Sequence, residues 1–405
     1  MLKGLHLKNF KSWREADVAL APITGFFGAN SSGKSSLLQA LLLMKQSAEN
    51  SDSRQILEFG NEKSLVELGT FKNVIFQSDT KYKLSLGLAF QFAQGQYYLG
   101  GTVGTDQVNQ ESIRGYGTTF GMDGAWAYGH PTDKGYSFHL AYDVEKTEDQ
   151  YQIIWDVQQS YAVVLSRIEY LGPLRDPPKR TYLWSGAAPS TVGKSGENTI
   201  AALLAARASG ILVNGQPLEV VISKKLQQLG LIASFRLEEL REGTSIFRVL
   251  LRRTPESPEV SLTDVGFGVS QILPVLVLLY YVPEGSTVIL EQPELHLHPS
   301  VQSGLADILI DAHKTRGVQI LLESHSEHLL QRLQRRVAEE SIAPADVKLY
   351  FCSLEQGESK LTTLDLDEYG VIRNYPKDFF GDRFDEVAAT AEAGIQRQLA
   401  LVGNS

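Results

Sequence analysis

Residues 28–35 read Gly-Ala-Asn-Ser-Ser-Gly-Lys-Ser and fit the pattern G-x-x-x-x-G-K-[ST]. The apolar run Ile23-Thr24-Gly25-Phe26-Phe27 before them predicts a strand, and the helix-forming residues after Lys34 predict a helix. A glycine-rich turn between a strand and a helix directs backbone N–H groups and the positive end of the helix dipole at an anion. The segment therefore predicts a phosphate-binding loop.

This loop supplies the expected contacts to a nucleotide, with ATP and Mg²⁺ as the expected ligands. The ammonium of Lys34 is suited to the β- and γ-phosphates, and the hydroxyl of Ser35 is suited to Mg²⁺. The nucleotide-binding residues predicted here are Gly28, Asn30, Ser31, Ser32, Gly33, Lys34, Ser35 and Ser36.

A second motif is an apolar strand, Thr287-Val288-Ile289-Leu290, that ends in Glu291-Gln292-Pro293-Glu294. In a parallel sheet, an acid at the carboxyl end of a buried strand projects into the ligand crevice. Glu291 is therefore a candidate Mg²⁺ ligand. Either Glu291 or Glu294 could act as the base on an attacking water.

Two further segments have the character of site loops. The glycine-punctuated run Val265-Gly266-Phe267-Gly268-Val269-Ser270 enters an apolar helix, so its N–H groups could bind an anion. We place the start of that helix at residue 270, with Pro274 in the first turn, where proline is tolerated. Gly266, Gly268 and Ser270 are the expected contacts. The run Leu321–Ser326 predicts a buried strand followed by His325, which could reach a γ-phosphate or the attacking water.

The order and spacing of these four motifs resemble those of the ABC-type ATPases. The RecF, SMC and OLD-like branch is the most similar, because Glu-Gln-Pro-Glu-Leu-His-Leu-His-Pro at 291–299 looks like its E/D-x-P-E-x-H-L-H-P motif. Glu-Ser-His-Ser at 323–326 is similar to its E-T-H-S. Segments 266–271 and 374–380 also resemble prokaryotic ATPases, many from phage-defence settings.

The resemblance implies an α/β fold: an ABC-type P-loop NTPase head with a mostly parallel core sheet, an antiparallel β subdomain and a helical insertion. It implies a homodimer or higher oligomer in which loop 266–270 of one protomer closes over ATP held by Lys34 of the other. Gln292 stands where the branch has its catalytic glutamate, so hydrolysis could be slow, or Glu294 could take that role. Gln77 is a candidate for the lobe-linking glutamine that contacts Mg²⁺ and the water.

Changes in sequence pattern along the chain suggest three regions. Residues 1–170 form an N-terminal ATPase lobe with strand-like runs such as 83–92 and 151–157, and residues 171–260 form an insertion or arm. Residues 261–405 alternate strands with helices as a C-terminal ATPase lobe, and a tail helix is expected over 384–401.

Composition limits the classes of function. The net charge of −9 argues against a surface for bulk nucleic-acid binding, although a local basic groove stays open. The most apolar run, 272–282, is too short to span a bilayer, and no signal peptide is apparent, so we expect a cytoplasmic protein without membrane partners. The single cysteine, Cys352, is expected to be a strand packing residue in a reducing compartment. Histidines follow Glu294, but their pattern does not indicate a transition-metal site, and we expect none there.

The resemblance and these limits lead to one function and three rivals. Fewer than 80 residues follow His328, too few for the Toprim nuclease of OLD-type proteins, so we expect a separate effector protein in anti-phage defence. A DNA-repair or chromosome-maintenance ATPase, a transporter subunit and a non-hydrolysing nucleotide switch are the alternatives.

Overall fold

A computed structural model describes residues 1–50, 56–93, 95–105, 113–122, 125–132, 135–139, 159–376, 379 and 389–395. The strand predicted at 151–157 lies outside these residues. Of the predicted tail helix, residues 389–395 are described, and they are helical.

Strands and helices are numbered in chain order. The strands are β1 (Leu2–Phe10), β2 (Trp13–Ala19), β3 (Ile23–Gly28), β4 (Leu84–Phe92), β5 (Gly95–Thr105), β6 (Ile113–Met122), β7 (Ala125–Thr132), β8 (Gly135–His139), β9 (Ile168–Leu171), β10 (Tyr182–Leu183), β11 (Leu212–Val213), β12 (Gln216–Pro217), β13 (Ser234–Glu239), β14 (Ile246–Arg252), β15 (Val260–Ser261), β16 (Thr287–Glu291), β17 (Gln319–Glu323), β18 (Val347–Glu355) and β19 (Glu358–Leu364). The helices are α1 (Lys34–Glu49), α2 (Phe71–Val74), α3 (described over 159–166), α4 (Thr199–Ala208), α5 (Leu218–Gln228), α6 (Phe267–Tyr281), α7 (Pro299–Arg316) and α8 (Glu327–Ala338).

The core sheet has the strand order β19-β18-β3-β17-β16-β9. All neighbours pair in parallel except β18 and β19, which are antiparallel. Every residue of β3, β16 and β17 is buried, as expected for parallel strands covered on both faces. The carboxyl ends of β3, β16 and β17 therefore meet at one edge of the sheet.

Alternation along the strands divides the core into two halves. In β16, Ile289 packs into the cluster around α1, whereas Val288 and Leu290 pack into the cluster around α6 and α7. Side chains of successive strand residues point to opposite faces, so one apolar strand serves both cores. The helix that follows the phosphate loop thus lies on the opposite face of the sheet from α6.

An antiparallel sheet completes the first half of the chain, with the order β2-β1-β4-β5-β6-β7-β8. Strand β1 pairs on one edge with β2 and on the other with β4. The expected α/β fold, with a mostly parallel core sheet and an antiparallel β region, is confirmed.

The segment 171–260, predicted as an insertion or arm, packs against the C-terminal half. Helices α4 and α5 contact α6, and their buried residues belong to the same hydrophobic cluster as those of α6 and α7. Strands β10, β13, β14 and β15 form a small antiparallel sheet beside them. The three-region division of the chain stays a prediction.

The start of α6 differs from the sequence-based expectation. The helix begins at Phe267, so Pro274 lies in its third turn instead of its first. Proline there cannot donate the backbone hydrogen bond to Ser270. Pro274 is accommodated against Gly196, where a Cβ would lie 2.7 Å from the Cβ of Pro274. Among the described helices, none is long and apolar enough to cross a membrane.

Candidate functional site

The phosphate loop is a tight turn whose glycines are required by its backbone geometry. Gly28 and Gly33 have φ angles of +136° and +95°, a region that L side chains rarely adopt. A Cβ on Gly28 would lie 2.1 Å from the carbonyl oxygen of Cys352, and one on Gly33 would lie 2.4 Å from the Oγ of Ser359. Any residue other than glycine at these two positions would therefore collide with Cys352 or Ser359.

The ammonium of Lys34 lies inside the curve of this loop. Its Nζ donates to the carbonyl oxygens of Gly28 and Ala29 at 3.0 and 2.7 Å, and it lies 3.8 Å from Oε1 of Glu323. Burial lowers the pKa of Lys34, and the negative charge of Glu323 opposes that effect. A buried cation is thus held at the point where the loop would receive phosphate oxygens.

The other predicted loop residues lie around Lys34 with different exposures. Asn30 and Ser31 are exposed at the turn, and Ser35 and Ser36 are half-buried in the first turn of α1. Ser32 is fully buried, and its Oγ has no hydrogen-bond partner. The structure brings these residues together; their contacts to a nucleotide stay a prediction.

Two buried glutamates lie side by side on neighbouring strands at the same edge. Glu291 and Glu323 are the last residues of β16 and β17, and they are paired in the parallel register. The hydroxyl of Tyr170 donates to Oε1 of Glu291 at 3.1 Å. Burial, together with the neighbouring Glu323, raises the pKa of Glu291 to about 7. Two carboxyl groups this close are costly to ionise together unless a cation lies between them.

Glu294 connects the turn after β16 to the turn after β17. The backbone N–H of His325 donates to Oε1 of Glu294 at 2.6 Å, while Oε2 is buried without a partner. Burial raises the pKa of Glu294. Partial desolvation and the nearby Lys34 lower the pKa of His325, which favours its neutral form. Glu294 and His325 are therefore one connected unit beside the phosphate loop.

Gln292 continues the backbone of β16 in an unusual conformation. Its φ is +45°, and its backbone N–H donates to the carbonyl oxygen of Glu323 at 2.9 Å. The side chain is half-buried, and an amide cannot take a proton from water. The backbone of Gln292 is thus fixed by a hydrogen bond, but its side chain cannot act as a general base.

Two predicted elements lie apart from this cluster. Gln77 is exposed, with a φ of +53°, and no hydrogen bond joins it to the phosphate loop among the described residues. Gly266 is the N-cap of α6, Gly268 and Ser270 lie in its first turn, and a Cβ on Gly268 would meet Leu297 at 3.8 Å. Their roles stay predictions.

Sequence reasoning missed three residues that the fold brings to the site: Glu323, Tyr170 and Arg175. Glu323 has the same sequence pattern as Glu291, a carboxylate at the end of an apolar strand. That pattern could have identified it as a site residue in its own right. Tyr170 and Arg175 lie before and after the end of β9, which is adjacent to β16, and only the strand order shows this.

The polar atoms around the loop include unpartnered donors and acceptors of the kinds that a nucleoside triphosphate with Mg²⁺ requires. The buried side-chain atoms here without a hydrogen-bond partner are Oγ of Ser32, Nε and Nη1 of Arg175, Oε2 of Glu294 and Oε2 of Glu323. Buried polar groups are normally paired, so a group of orphans in one place indicates a ligand. Among the described residues, no group of three or more His, Cys, Asp or Glu side chains could hold a metal ion. Mg²⁺ commonly takes one or two carboxylates and completes its shell with phosphate oxygens and water.

Comparison with protein families places most of the chain in one of them. The family model described as "AAA domain, putative AbiEii toxin, Type IV TA system" matches residues 23–331, which contain β3, the phosphate loop, β16 and β17. The chain belongs to this AAA family. A second model, described as a protein of unknown function (DUF3696), matches residues 342–389. No curated protein matches the chain.

Solved structures with a similar fold include SMC heads. The SMC head bound to the C-winged helix domain of ScpA has a TM-score of 0.52 and 13% identity, covering 91% of this chain and 98% of that one. The SMC head domain from Thermotoga maritima gives 0.45 and 14%, with coverages of 90% and 99%. The Pyrococcus furiosus SMC head with an extended coiled coil, bound to the C-terminal domain of ScpA, gives 0.47 and 12%, with coverages of 90% and 96%.

The family match and the first of these folds agree with the resemblance found in the motifs. This AAA-family chain has the fold of an ABC-type P-loop NTPase head. The predicted resemblance to ABC-type ATPases is confirmed at this level, and the narrower placement among OLD-like proteins stays a prediction.

Proposed function

We propose that this AAA-family chain binds ATP with Mg²⁺ in the cytoplasm and hydrolyses it as a dimerising motor or sensor. Its turnover controls a separate effector protein, such as a nuclease, in anti-phage defence. The observation that carries the proposal is the buried cluster at the carboxyl ends of β3, β16 and β17, where Lys34 lies 3.8 Å from Glu323 and Glu323 is in register with Glu291.

The residues of the cluster divide the chemistry between them. The N–H groups of the loop and the ammonium of Lys34 bind the β- and γ-phosphates, since both donate hydrogen bonds to anionic oxygens and the ammonium also brings a positive charge. Ser35 and Glu291 would hold Mg²⁺, which when bound would neutralise charge on the phosphate oxygens. Gln292 can orient a water by hydrogen bonding, whereas taking its proton requires a carboxylate such as Glu294.

The position of the 266–270 loop supports a composite site between two copies of the chain. Phe267, in the first turn of α6, is 71% exposed, and its ring lies 6.3 Å from that of His296. Phenylalanine is enriched at protein–protein interfaces relative to the rest of the surface. In a homodimer, this helix N-terminus would close over the phosphates held by Lys34 of the partner subunit.

ATP hydrolysis measured across a range of protein concentrations tests the dimerising motor. Specific activity should rise with concentration, because the site is complete only in the dimer, and it should vanish in the Lys34→Ala variant. Activity per chain that is independent of concentration, with the protein monomeric in the presence of ATP, contradicts the composite site.

A paired co-purification tests control of a separate effector. The tagged wild-type chain and the Lys34→Ala variant are isolated from the native host before and after phage infection. We expect a nuclease or toxin that associates with the wild-type chain in an ATP-dependent manner and whose activity, assayed with purified components, depends on Lys34. The effector role fails if no such protein is recovered.

A non-hydrolysing nucleotide switch is the alternative that a specific residue favours. Gln292 replaces the acid expected next to Glu291, and ATP binding without turnover at any protein concentration would select the switch. A DNA-repair or chromosome-maintenance ATPase would instead show turnover stimulated by duplex DNA.

A further inference from the structure

Arg175 is a half-buried arginine that the proposed chemistry does not yet use. It lies in the loop Gly172-Pro173-Leu174-Arg175-Asp176-Pro177-Pro178, directly after β9. Its Nη2 approaches the carbonyl oxygen of Glu291 at 3.4 Å, and its Nε and Nη1 are buried without a partner. A guanidinium stays charged in proteins, so buried N–H groups without an acceptor are costly to maintain.

A neighbouring arginine in the same segment shows what a satisfied guanidinium looks like in this fold. Arg180 makes a two-pronged contact with Asp264, at 3.1 and 2.9 Å, on the exposed surface. Arg175 has carboxylates nearby as well, since Glu291 and Glu294 both act on its charge. It forms no such fork with either of them, although Oε2 of Glu294 also lacks a partner.

The loop that carries Arg175 is held in place by its own hydrogen bonds. The backbone N–H of Asp176 donates to the carbonyl oxygen of Ser195 at 2.8 Å, and the hydroxyl of Ser195 donates to Oδ1 of Asp176 at 2.7 Å. The backbone N–H of Gly172 donates to the carbonyl oxygen of Lys194, also at 2.8 Å. The guanidinium is therefore presented on an ordered loop.

The same loop is connected to the helix that begins with the 266–270 loop. Gly196 follows Ser195 and packs directly against Pro274 in α6. A cavity lies between these elements, and both Asp176 and Ser270 line it. The loop of Arg175 and the start of α6 therefore belong to one packed region.

We propose that Arg175 is an anion-binding residue of the ATP site, donating from Nε and Nη1 to the terminal phosphate of a nucleoside triphosphate bound to the same chain. A planar fork with two free donors matches two oxygens of a phosphoryl group. The residue thereby distinguishes triphosphate from diphosphate. This inference rests on the proposed function, because it requires that the phosphate loop binds ATP.

Separate dissociation constants for a non-hydrolysable ATP analogue and for ADP, both with Mg²⁺, test the inference. Arg175→Ala should weaken binding of the analogue by tenfold or more while changing ADP binding by less than about twofold, because a charged hydrogen bond of this kind is worth roughly one to two factors of ten. Arg175→Lys should fall between them, since it keeps the charge but loses the fork. Arg180→Ala is the matched control and should change neither constant.

Equal weakening of both nucleotides by Arg175→Ala, or no change in either, overturns the inference. If Arg175→Ala does not fold, as judged by its thermal unfolding, the same comparison is made with Arg175→Lys. Inorganic phosphate is tested with ADP as the other source of the same anion. Strengthening of ADP binding by phosphate, without any preference for the triphosphate analogue, assigns Arg175 to released phosphate and also overturns the inference.

These outcomes differ from failure of the proposed function. If the wild-type chain binds neither nucleotide, the ATP site itself is wrong. If Lys34→Ala abolishes binding of both nucleotides while Arg175→Ala leaves both unchanged, the ATP site stands and only the role of Arg175 falls.

Discussion

Two groups of charged side chains in this molecule have opposite characters. The nucleotide-end cluster consists of Lys34, Arg175, Glu291, Glu294 and Glu323. The ion-pair ladder on the small sheet consists of Arg236, Glu238, Arg248 and Glu259.

The ladder is exposed and fully hydrogen-bonded. Arg236 donates to both oxygens of Glu259 at 3.0 and 2.7 Å and to Glu238 at 3.0 Å, and Arg248 donates to Glu238 at 2.5 Å. Hydrogen bonds from Arg236 lower the pKa of Glu259. Solvent screens these pairs, so each contributes little to folding.

The nucleotide-end cluster is buried and incompletely paired. Lys34 and Glu323 are each about 3% exposed, yet their charged atoms are 3.8 Å apart, and Oε2 of Glu323 has no partner. Buried charges without full pairing lower the stability of the folded chain at this edge of the sheet. The comparison teaches two things. Charged side chains that are paired with each other at the surface indicate no ligand, whereas buried charged groups that lack hydrogen-bond partners indicate a ligand site.

The largest expected effect in the cluster comes from Lys34→Ala. Removing the ammonium from the curve of the phosphate loop should lower kcat/KM for ATP by about a thousandfold, because the charge on the phosphates is no longer compensated. Steady-state hydrolysis measures it, with Arg236→Ala in the ladder as the control. Activity within a few-fold of wild type would remove the distinction between the two groups.

The pH dependence of stability should show that Glu291 is a destabilising group in the absence of ligand. Its pKa is about 7 in the folded chain and the ordinary 4.5 when unfolded, so the folded state binds more protons in this window. Stability should therefore fall as pH rises from about 4.5 to 7, by up to roughly 3 kcal/mol from this group.

Thermal unfolding without Mg²⁺ or nucleotide, near pH 5 and near pH 8, checks this prediction. The amide in Glu291→Gln never ionises, so the variant should gain stability relative to wild type on going to the higher pH. A difference between variant and wild type that is the same at both pH values would show that Glu291 is not held near a neutral pKa.

A smaller effect is expected from Glu323→Gln. The amide keeps the size of the side chain but removes the negative charge next to Lys34, so the ammonium is less firmly positioned for the phosphates. Turnover should fall roughly tenfold, with ATP binding changed much less, since the loop and Lys34 both remain. Hydrolysis and binding measured on the same preparation separate the two, and unchanged turnover would show that Glu323 only fills space.

The smallest effect should come from breaking the ladder. Arg236→Ala should leave ATP turnover unchanged and shift the unfolding midpoint by about 2 °C or less, because exposed ion pairs contribute little and are screened. Repeating the measurement at high salt should shrink even this difference. A large loss of stability would mean that the ladder is not the passive surface described here.

Much of the fold could be predicted because its signals are local. The run from Ile23 to Ser35 predicts a strand, a glycine turn and a helix, and the structure has β3, the loop and α1 in these positions. The apolar run before Glu291 likewise predicts β16. The prediction of the α6 start was less accurate, because the contact between Pro274 and Gly196 permits a proline in the third turn.

The candidate site was predicted only in part. Lys34, Glu291, Glu294 and His325 are marked by motifs, and the fold brings them to one edge of the sheet. Arg175 carried no such mark, because a loop rich in proline and glycine is informative only when its neighbours are known. Gln77 is a candidate lobe-linking glutamine only because it follows a segment of the first lobe. Its contacts depend on loop packing, which short-range sequence patterns do not encode.

The sequence by itself determined the phosphate loop, because the spacing G-x-x-x-x-G-K-[ST] puts Gly28 and Gly33 at the two positions whose positive φ angles favour glycine. Only the tertiary structure decided that Glu323 opposes Glu291 and that Arg175 lies beside them. The physical reason is that backbone conformation depends on a few adjacent residues, whereas the meeting of side chains far apart in the chain depends on strand order. Here β17 lies between β3 and β16, and β9 lies at the edge beyond β16, so charges more than a hundred residues apart share one buried space.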